Sequence, residues 1–406
     1  MKSIQLICLA LLFHGGFLAQ EVNHNNNTNI SKETNTNEIQ ILEEKGAKSE
    51  ETDSIVNDFR KERKFIEKKS LDSQTKLKSE APATEQTEAI PKEEIYRSSS
   101  QDYKAVQYQS THNPASRSAS PVLQEKMDEN LELMNVVAPD AFETNLFNYW
   151  NGHYDSKNAP YLLRAAEQNP ENKELRQQLS AYYYIENDSQ AVDSITTKMV
   201  TDGTFCSGQI NYATDLMNSA QANSTLIVHG FDDFLPLVNV MGAATYSFNV
   251  VSLDLLQSPE YRQTLATKGY VVPESNEIDT AYLNLFVEVN SDKNIQLSLT
   301  LPKEYLQSFL PDLYPLGLTF TLVKRDEDEE YNAGLWENKW NKEILLKGTN
   351  DWGDTWTKNY LPALVTLKMY YDRKGNTEES KKVSEVILAI SSRSNLKQKV
   401  SKYAAE

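Results

Sequence analysis

Ser224-Thr-Leu-Ile-Val-His-Gly-Phe-Asp-Asp-Phe-Leu-Pro236 is the stretch on which the fold class of this chain turns. An apolar run over 225–228 reads as a buried strand, Gly230 marks a tight turn, and the two carboxylates before an amphipathic pattern read as a helix start. In open α/β sheets ligands bind where strand ends meet helix N-termini. His229, Gly230, Asp232 and Asp233 are therefore the candidate binding residues. Outward from this point the pattern alternates. A helix is expected over 209–219, the strand over 225–228, a second helix over 234–244 and a second strand over 249–253. The runs 295–301 and 317–323 are β-rich with full or partial period-two spacing. Strands alternating with helices predict a layered α/β domain over 204–350.

Upstream, Leu123, Met127, Leu131 and Met134 stand at helical spacing and predict a helix over 122–135. Further helices are expected over 141–153, 159–168, 172–185 and 190–200, separated by Asn-Pro, Asn-Asp and Asp-Gly breakers. These make a helical domain over 121–203. Its span 161–183 resembles a degenerate tetratricopeptide helix pair, which implies either a buttress for a neighbouring domain or part of a concave binding surface. Downstream, 360–371 and 378–390 flank Asp372-Arg-Lys-Gly375 and predict a closing helical hairpin within 351–406. Trp336, Trp340, Trp352 and Trp356 precede it. Such a cluster suits an interface core, or alternatively a carbohydrate platform.

The other end of the chain differs in composition. Residues 1–20 carry Lys2, an apolar run over 4–12 and small residues before Glu21, the layout of a secretory signal peptide. Residues 21–120 begin with an Asn-rich tract, are rich in charge, Ser and Thr, and contain few aromatics. They are expected to be a disordered leader, because such a composition buries too little apolar surface to offset ordering entropy. The island 55–69 has one apolar helical face and reads as a transient helix or a segment that folds on a partner. With the signal removed, Cys206 is the remaining cysteine, so no intramolecular disulfide is expected. The net charge of −17 disfavours nucleic acid, whose phosphates need a basic surface. No segment has the roughly 18 consecutive apolar residues of a membrane span. The localisation expected is exported, periplasmic or outer-membrane-associated.

The region 209–390 resembles the soluble C-terminal domain of a Bacteroidota family of multi-spanning membrane proteins related to the transmembrane O-mannosyltransferases. That family follows an apolar strand with Gly-Asp-Asn-Asp-Thr and a proline. Gly230, Asp233 and Pro236 match it, and Val250, Val251, Leu253, Leu255 and Leu256 match its second strand. The 314–322 run is similar to a later Gly-Leu strand. Phe231, Asp232 and Phe234 stand where the family has Asp, Asn and Thr, which leaves fewer side-chain hydrogen-bonding groups. Members carry their transferase chemistry in the membrane-embedded part. The resemblance thus implies a layered, Rossmann-like accessory domain without glycosyl transfer.

Chemistry is sparse. A Ser-His-Asp arrangement has only His153 and His229 to draw on in the expected folded region, and no Gly-x-Ser-x-Gly elbow is present. One cysteine and two distant histidines do not make a zinc site, and no phosphate-cradling glycine loop occurs. No cofactor is implied. Asp232 and Asp233 either cap the following helix, hold a polar ligand or cation, or do acid–base work. Two functions are therefore carried forward. One is a non-enzymatic scaffold or interaction protein of the cell envelope, docked on an envelope partner, with an outer-membrane secretion or gliding machinery as one setting. The other is a glycan- or nucleotide-sugar-binding domain, or a weak glycan enzyme, using a strand-end pocket at Asp232 and Asp233.

Overall fold

The computed structural model describes residues 91–349, 354–394 and 396. Of these, the residues from Ile95 onward belong to one compact unit. The signal-peptide expectation over 1–20, the 55–69 island, Trp352 and most of the 21–120 leader lie outside the described residues. What is described is mostly helical, built around a small five-stranded mixed sheet.

The helical part contains α1 (Lys92–Thr111), α2 (Pro121–Val137), α3 (Phe142–Asn151), α4 (Ala159–Gln168), α5 (Lys173–Ile185) and α6 (Ser189–Thr201). Side chains start several of them. Ser120 caps α2, Asn172 caps α5 and Asp188 caps α6 by accepting N–H groups of the first turn. Each helix from α2 to α6 packs on its sequence neighbour, as short connections favour.

α1 corrects the leader boundary. It lies inside the segment expected to be disordered, yet Tyr103 is fully buried and stacks on Phe147 at 4.4 Å between ring centroids. Tyr96, Ser99, Tyr103, Val106 and Ser110 recur at spacings of three and four and form the buried or half-buried face. Two of those five are serines, so the stripe reads as polar although small side chains pack closely.

The sheet follows α7 (Ser207–Ser219). Its elements are β1 (Thr225–Val228), α8 (Phe231–Gly242), β2 (Asn249–Ser252), α9 (Pro259–Thr267), α10 (Thr280–Val289), β3 (Ile295–Ser298), α11 (Lys303–Leu306), β4 (Tyr314–Leu316) and β5 (Thr319–Thr321). The strand order is β2-β1-β3-β5-β4. β1 pairs in parallel with β2 and β3, with Leu226 opposite Val250 and Gln296; β5 runs antiparallel to β3 and β4. All four residues of β1 are buried, which suits a continuous apolar run covered on both faces.

The β-rich run expected over 317–323 holds β5, and β4, which lies before that run, pairs with it as a hairpin. Gly317 adopts φ +58, and a Cβ there would collide with Ser219 and Leu335. The chain reverses at Gly317-Leu318, where the Gly317 N–H donates to Asn332 Oδ1 at 2.6 Å and the Leu318 N–H to Ser219 Oγ at 3.0 Å.

α12 (Asp328–Asn338), α13 (Lys342–Lys347), α14 (Asp354–Thr357), α15 (Leu361–Lys374) and α16 (Thr377–Arg393) complete the fold, with α15 and α16 as the expected hairpin around Gly375 at φ +70. The hydrophobic cores do not respect the expected divisions at 203 and 350. One cluster runs from Tyr103 to Leu175, and a second runs continuously from Ala181 to Leu396. α5 contributes Leu175 to the first and Ala181 and Ile185 to the second, so one helix is shared between two cores. Trp336, Trp340 and Trp356 are buried in the second cluster, which overturns the carbohydrate-platform alternative for those three.

Candidate functional site

Because β1 lies between its parallel partners, the chain goes one way from β1 to β2 and returns past it to β3. Such a reversal opens the crevice where α/β sheets place their ligands. Three strand ends meet there by a common rule. Gly230 follows the end of β1 by two residues, Asp254 follows β2 by two, and Thr300 follows β3 by two.

Asp233 is buried at the third position of α8. Its Oδ1 accepts the Gly230 N–H at 2.9 Å and its Oδ2 accepts the His229 N–H at 3.1 Å. This is the half of a capping box in which the helix side chain reaches back to the chain before the helix. Gly230 has no side chain, so the reciprocal half does not exist. Thr300 Oγ1 also donates to Asp233 Oδ2, and Ser298 Oγ lies 2.7 Å from Thr300 Oγ1. A line of hydroxyls thus ties the end of β3 to the end of β1. Burial pushes the Asp233 carboxyl up to about 6, against the hydrogen bonds of Thr300, His229 and Gly230, which pull it down.

Gly230 is extended at φ −132, open to any residue, and its significance is proximity: a Cβ would lie 3.2 Å from Asp254 Oδ2. Pro236 sits inside α8, not in the turn. Asp232 is half-buried, does not share the hydrogen bonds of Asp233, and its carbonyl accepts the side-chain N–H of Gln209 at 2.6 Å.

His229 meets a residue from the segment expected to be disordered. Arg117 places Nη1 3.2 Å from His229 Nε2, Nε 2.6 Å from Asp254 Oδ1, and donates from Nη1 to the Thr111 carbonyl at 2.9 Å. Both side chains of the ion pair are nearly enclosed, Arg117 at 10% and Asp254 at 7% exposure. Burial, reinforced by the Arg117 charge, holds the His229 imidazole well below its ordinary value. Since a guanidinium only donates, Nε2 is the acceptor and the ring proton is assigned to Nδ1. The ring stands edge-on to buried Tyr305, 6.3 Å between centroids.

Tyr154 closes the cluster from the helical part. It and His153 both have left-handed backbones, φ 61 and 52, and its ring packs edge-on to Phe231 at 5.7 Å. Two consecutive non-glycine residues in this region store strain of the kind found at functional positions. Burial raises the Tyr154 phenol, and the Asp254 charge adds to that shift.

The structure therefore brings His229, Gly230 and Asp233 together, with Asp232 beside Asp233 in the first turn of α8. Arg117, Asp254, Thr300 and Tyr154 complete the site. Asp254 and Thr300 were findable from their place two residues past a strand; Arg117 and Tyr154 carry no comparable signal. Among the described residues no group of three or more His, Cys, Asp or Glu is placed to hold a metal ion. Cys206 is buried at the start of α7, where its Sγ accepts the Gln209 N–H at 3.4 Å. No protein-family model, curated protein or solved structure matches this chain.

Proposed function

We propose that this chain is a non-enzymatic interaction or scaffold protein of the cell envelope, exported and docked on an envelope protein, with an outer-membrane secretion or gliding machinery as its setting. One observation carries the reading: Arg117 occupies the crevice. With Arg117 on His229 Nε2 and Thr300 on Asp233, the histidine and the carboxylate serve contacts within the chain. Several further features support it. Residues 1–20 have the signal-peptide layout. No helix among the described residues is long and apolar enough to cross a membrane. The parallel β2-β1-β3 order suits the Rossmann-like part of the reading, and consecutive helix packing suits tetratricopeptide-like helices.

The immobilised full chain is expected to retain a single envelope protein from envelope extracts, in stoichiometric amount and after salt washes. Recovery of nothing would end the reading. A glycan- or nucleotide-sugar-binding role at Asp232 and Asp233 is the alternative. It has to accommodate an Asp233 carboxylate that already accepts three hydrogen bonds.

A further inference from the structure

Residues 113–120 connect α1 to α2 and cross the sheet's strand ends in the manner of a bound peptide. Ser116 forms an antiparallel bridge with Asp279. The Arg117 N–H donates to the Ile278 carbonyl at 2.8 Å, and the Thr280 N–H donates to the Ala115 carbonyl at 3.2 Å. Ser118 Oγ donates to the Asn276 carbonyl at 3.1 Å and accepts the Ile278 N–H at 2.9 Å. Backbone pairing with an extended segment supplies affinity in peptide recognition, and side-chain slots supply specificity.

The slot here is filled by Arg117. Its guanidinium meets an acidic oxygen of Asp254, an imidazole nitrogen of His229 and the Thr111 carbonyl, acceptors on three separate parts of the chain. Gly230 leaves room beside Asp254, since a Cβ there would stand 3.2 Å from Asp254 Oδ2. Net stability is a weak reason for a buried ion pair, because desolvation offsets most of the attraction. Fork-shaped recognition of one guanidinium is a better one, and it is specific to arginine over lysine.

We propose that the ends of β1 and β2, together with the 276–280 loop, form a docking groove for an extended, arginine-bearing peptide, occupied in cis by residues 113–120. The partner it takes in trans carries an arginine between small residues, as in Ala115-Ser116-Arg117-Ser118-Ala119. A net charge of −17 favours approach of such a basic peptide. The proposal rests on the interaction reading and names its partner class.

The test uses the full chain with Arg117→Ala and a fluorescent peptide of residues 113–120, beside the same peptide with alanine for arginine. The variant is expected to bind the arginine peptide one to one, at least about tenfold more tightly than the alanine peptide, with the preference lost in R117A/D254A. Wild type is expected to bind at least about tenfold more weakly than R117A, because the cis segment competes at high effective concentration. Equal binding of both peptides by a folded R117A, or binding of neither, overturns the groove. If R117A does not fold alone, methylguanidine must restore folding where methylammonium does not; failure of that rescue also overturns it. Envelope capture by wild type is read separately, so the groove can fail while the interaction reading stands.

Discussion

The side-chain amide of Gln209 on α7 replaces a backbone donor that α8 lacks. Pro236 has no N–H to give the Asp232 carbonyl four residues earlier, and Gln209 Nε2 fills that place at 2.6 Å. Gln209→Ala leaves the carbonyl without this donor and is expected to cost about 1–3 kcal/mol of unfolding free energy. In a Pro236→Ala background, where the helix supplies its own N–H, the same substitution should cost less. Urea unfolding of the four proteins in this cycle decides it; equal losses in both backgrounds would refute the substitution of one donor for another.

Asp233 joins two strand ends through three donors, so its removal strands two N–H groups and a hydroxyl. Asp233→Ala is expected to lower stability by at least about 2 kcal/mol, and Thr300→Val by less. Thermal melts with simple sugars, nucleotide sugars and divalent cations provide the contrast. A ligand that stabilises wild type but not a well-folded D233A would transfer the site to the glycan-binding alternative.

Asp215 gives a pH signature. It is buried, accepts Tyr360 Oη at 2.7 Å, and burial pushes its carboxyl up to about 7 against the hydrogen bonds of Tyr360 and the Asn341 backbone. Below the ordinary value of 3.8 both folded and unfolded chains hold the proton, and no penalty arises. As pH rises from there the unfolded chain ionises first, so stability falls until about pH 7 and then levels. Asp233 acts in the same direction up to about pH 6. His153 and His229, held low by burial, act oppositely as pH falls through 6.5. The urea midpoint of wild type relative to Asp215→Asn cancels those shared groups. That difference should move against wild type between about pH 4 and about pH 7, and a flat profile would count against the buried-carboxyl assignment.

The Arg117 and Asp254 pair is expected to be strongly coupled. Removing one partner leaves an enclosed charge, at a cost of about 3–5 kcal/mol. R117A/D254A should therefore be destabilised by less than the sum of the single variants. Additive losses in chemical denaturation would show that the 2.6 Å contact does not govern their energetics.

Tyr103 tests where the folded chain begins. Tyr103→Ala is expected to cost about 3–5 kcal/mol, the range for truncating a buried aromatic, whereas Tyr108→Ala on the exposed face should stay within about 0.5 kcal/mol. Indistinguishable midpoints for the two variants would return 91–120 to the leader.

Much of the layered part was legible because its signals are local. β1 occupies 225–228 as expected, and β2 ends one residue before its expected limit. α4 is likewise found at 159–168, with its neighbours shifted by one or two residues. α8 starts three residues earlier than the apolar spacing indicates, because Asp233 binds the chain behind it and admits Phe231 and Asp232 to the first turn. α9, α10 and α12 went unread. Apolar residues are few in α9 and α12, α10 sets Tyr282, Leu283, Phe286 and Val287 at helical spacing within a nearly continuous apolar run, and Ser258 and Asp279 cap α9 and α10 by accepting an N–H of the first turn.

From sequence alone came the apolar strand, the turn at Gly230, a helix following Asp232 and Asp233, and the expectation that a site belongs at that strand end. These follow from periodicity and turn chemistry within a few residues. Only the tertiary structure decided what fills the site. Arg117 and Asp254 are 137 positions apart, and no local preference pairs them. The elevated carboxyls of Asp215 and Asp233 and the depressed His229 likewise arise from enclosure by a core assembled from distant elements. Burial and long-range pairing are properties of the packed chain, and here they turn an expected ligand pocket into a slot occupied by the chain's own arginine.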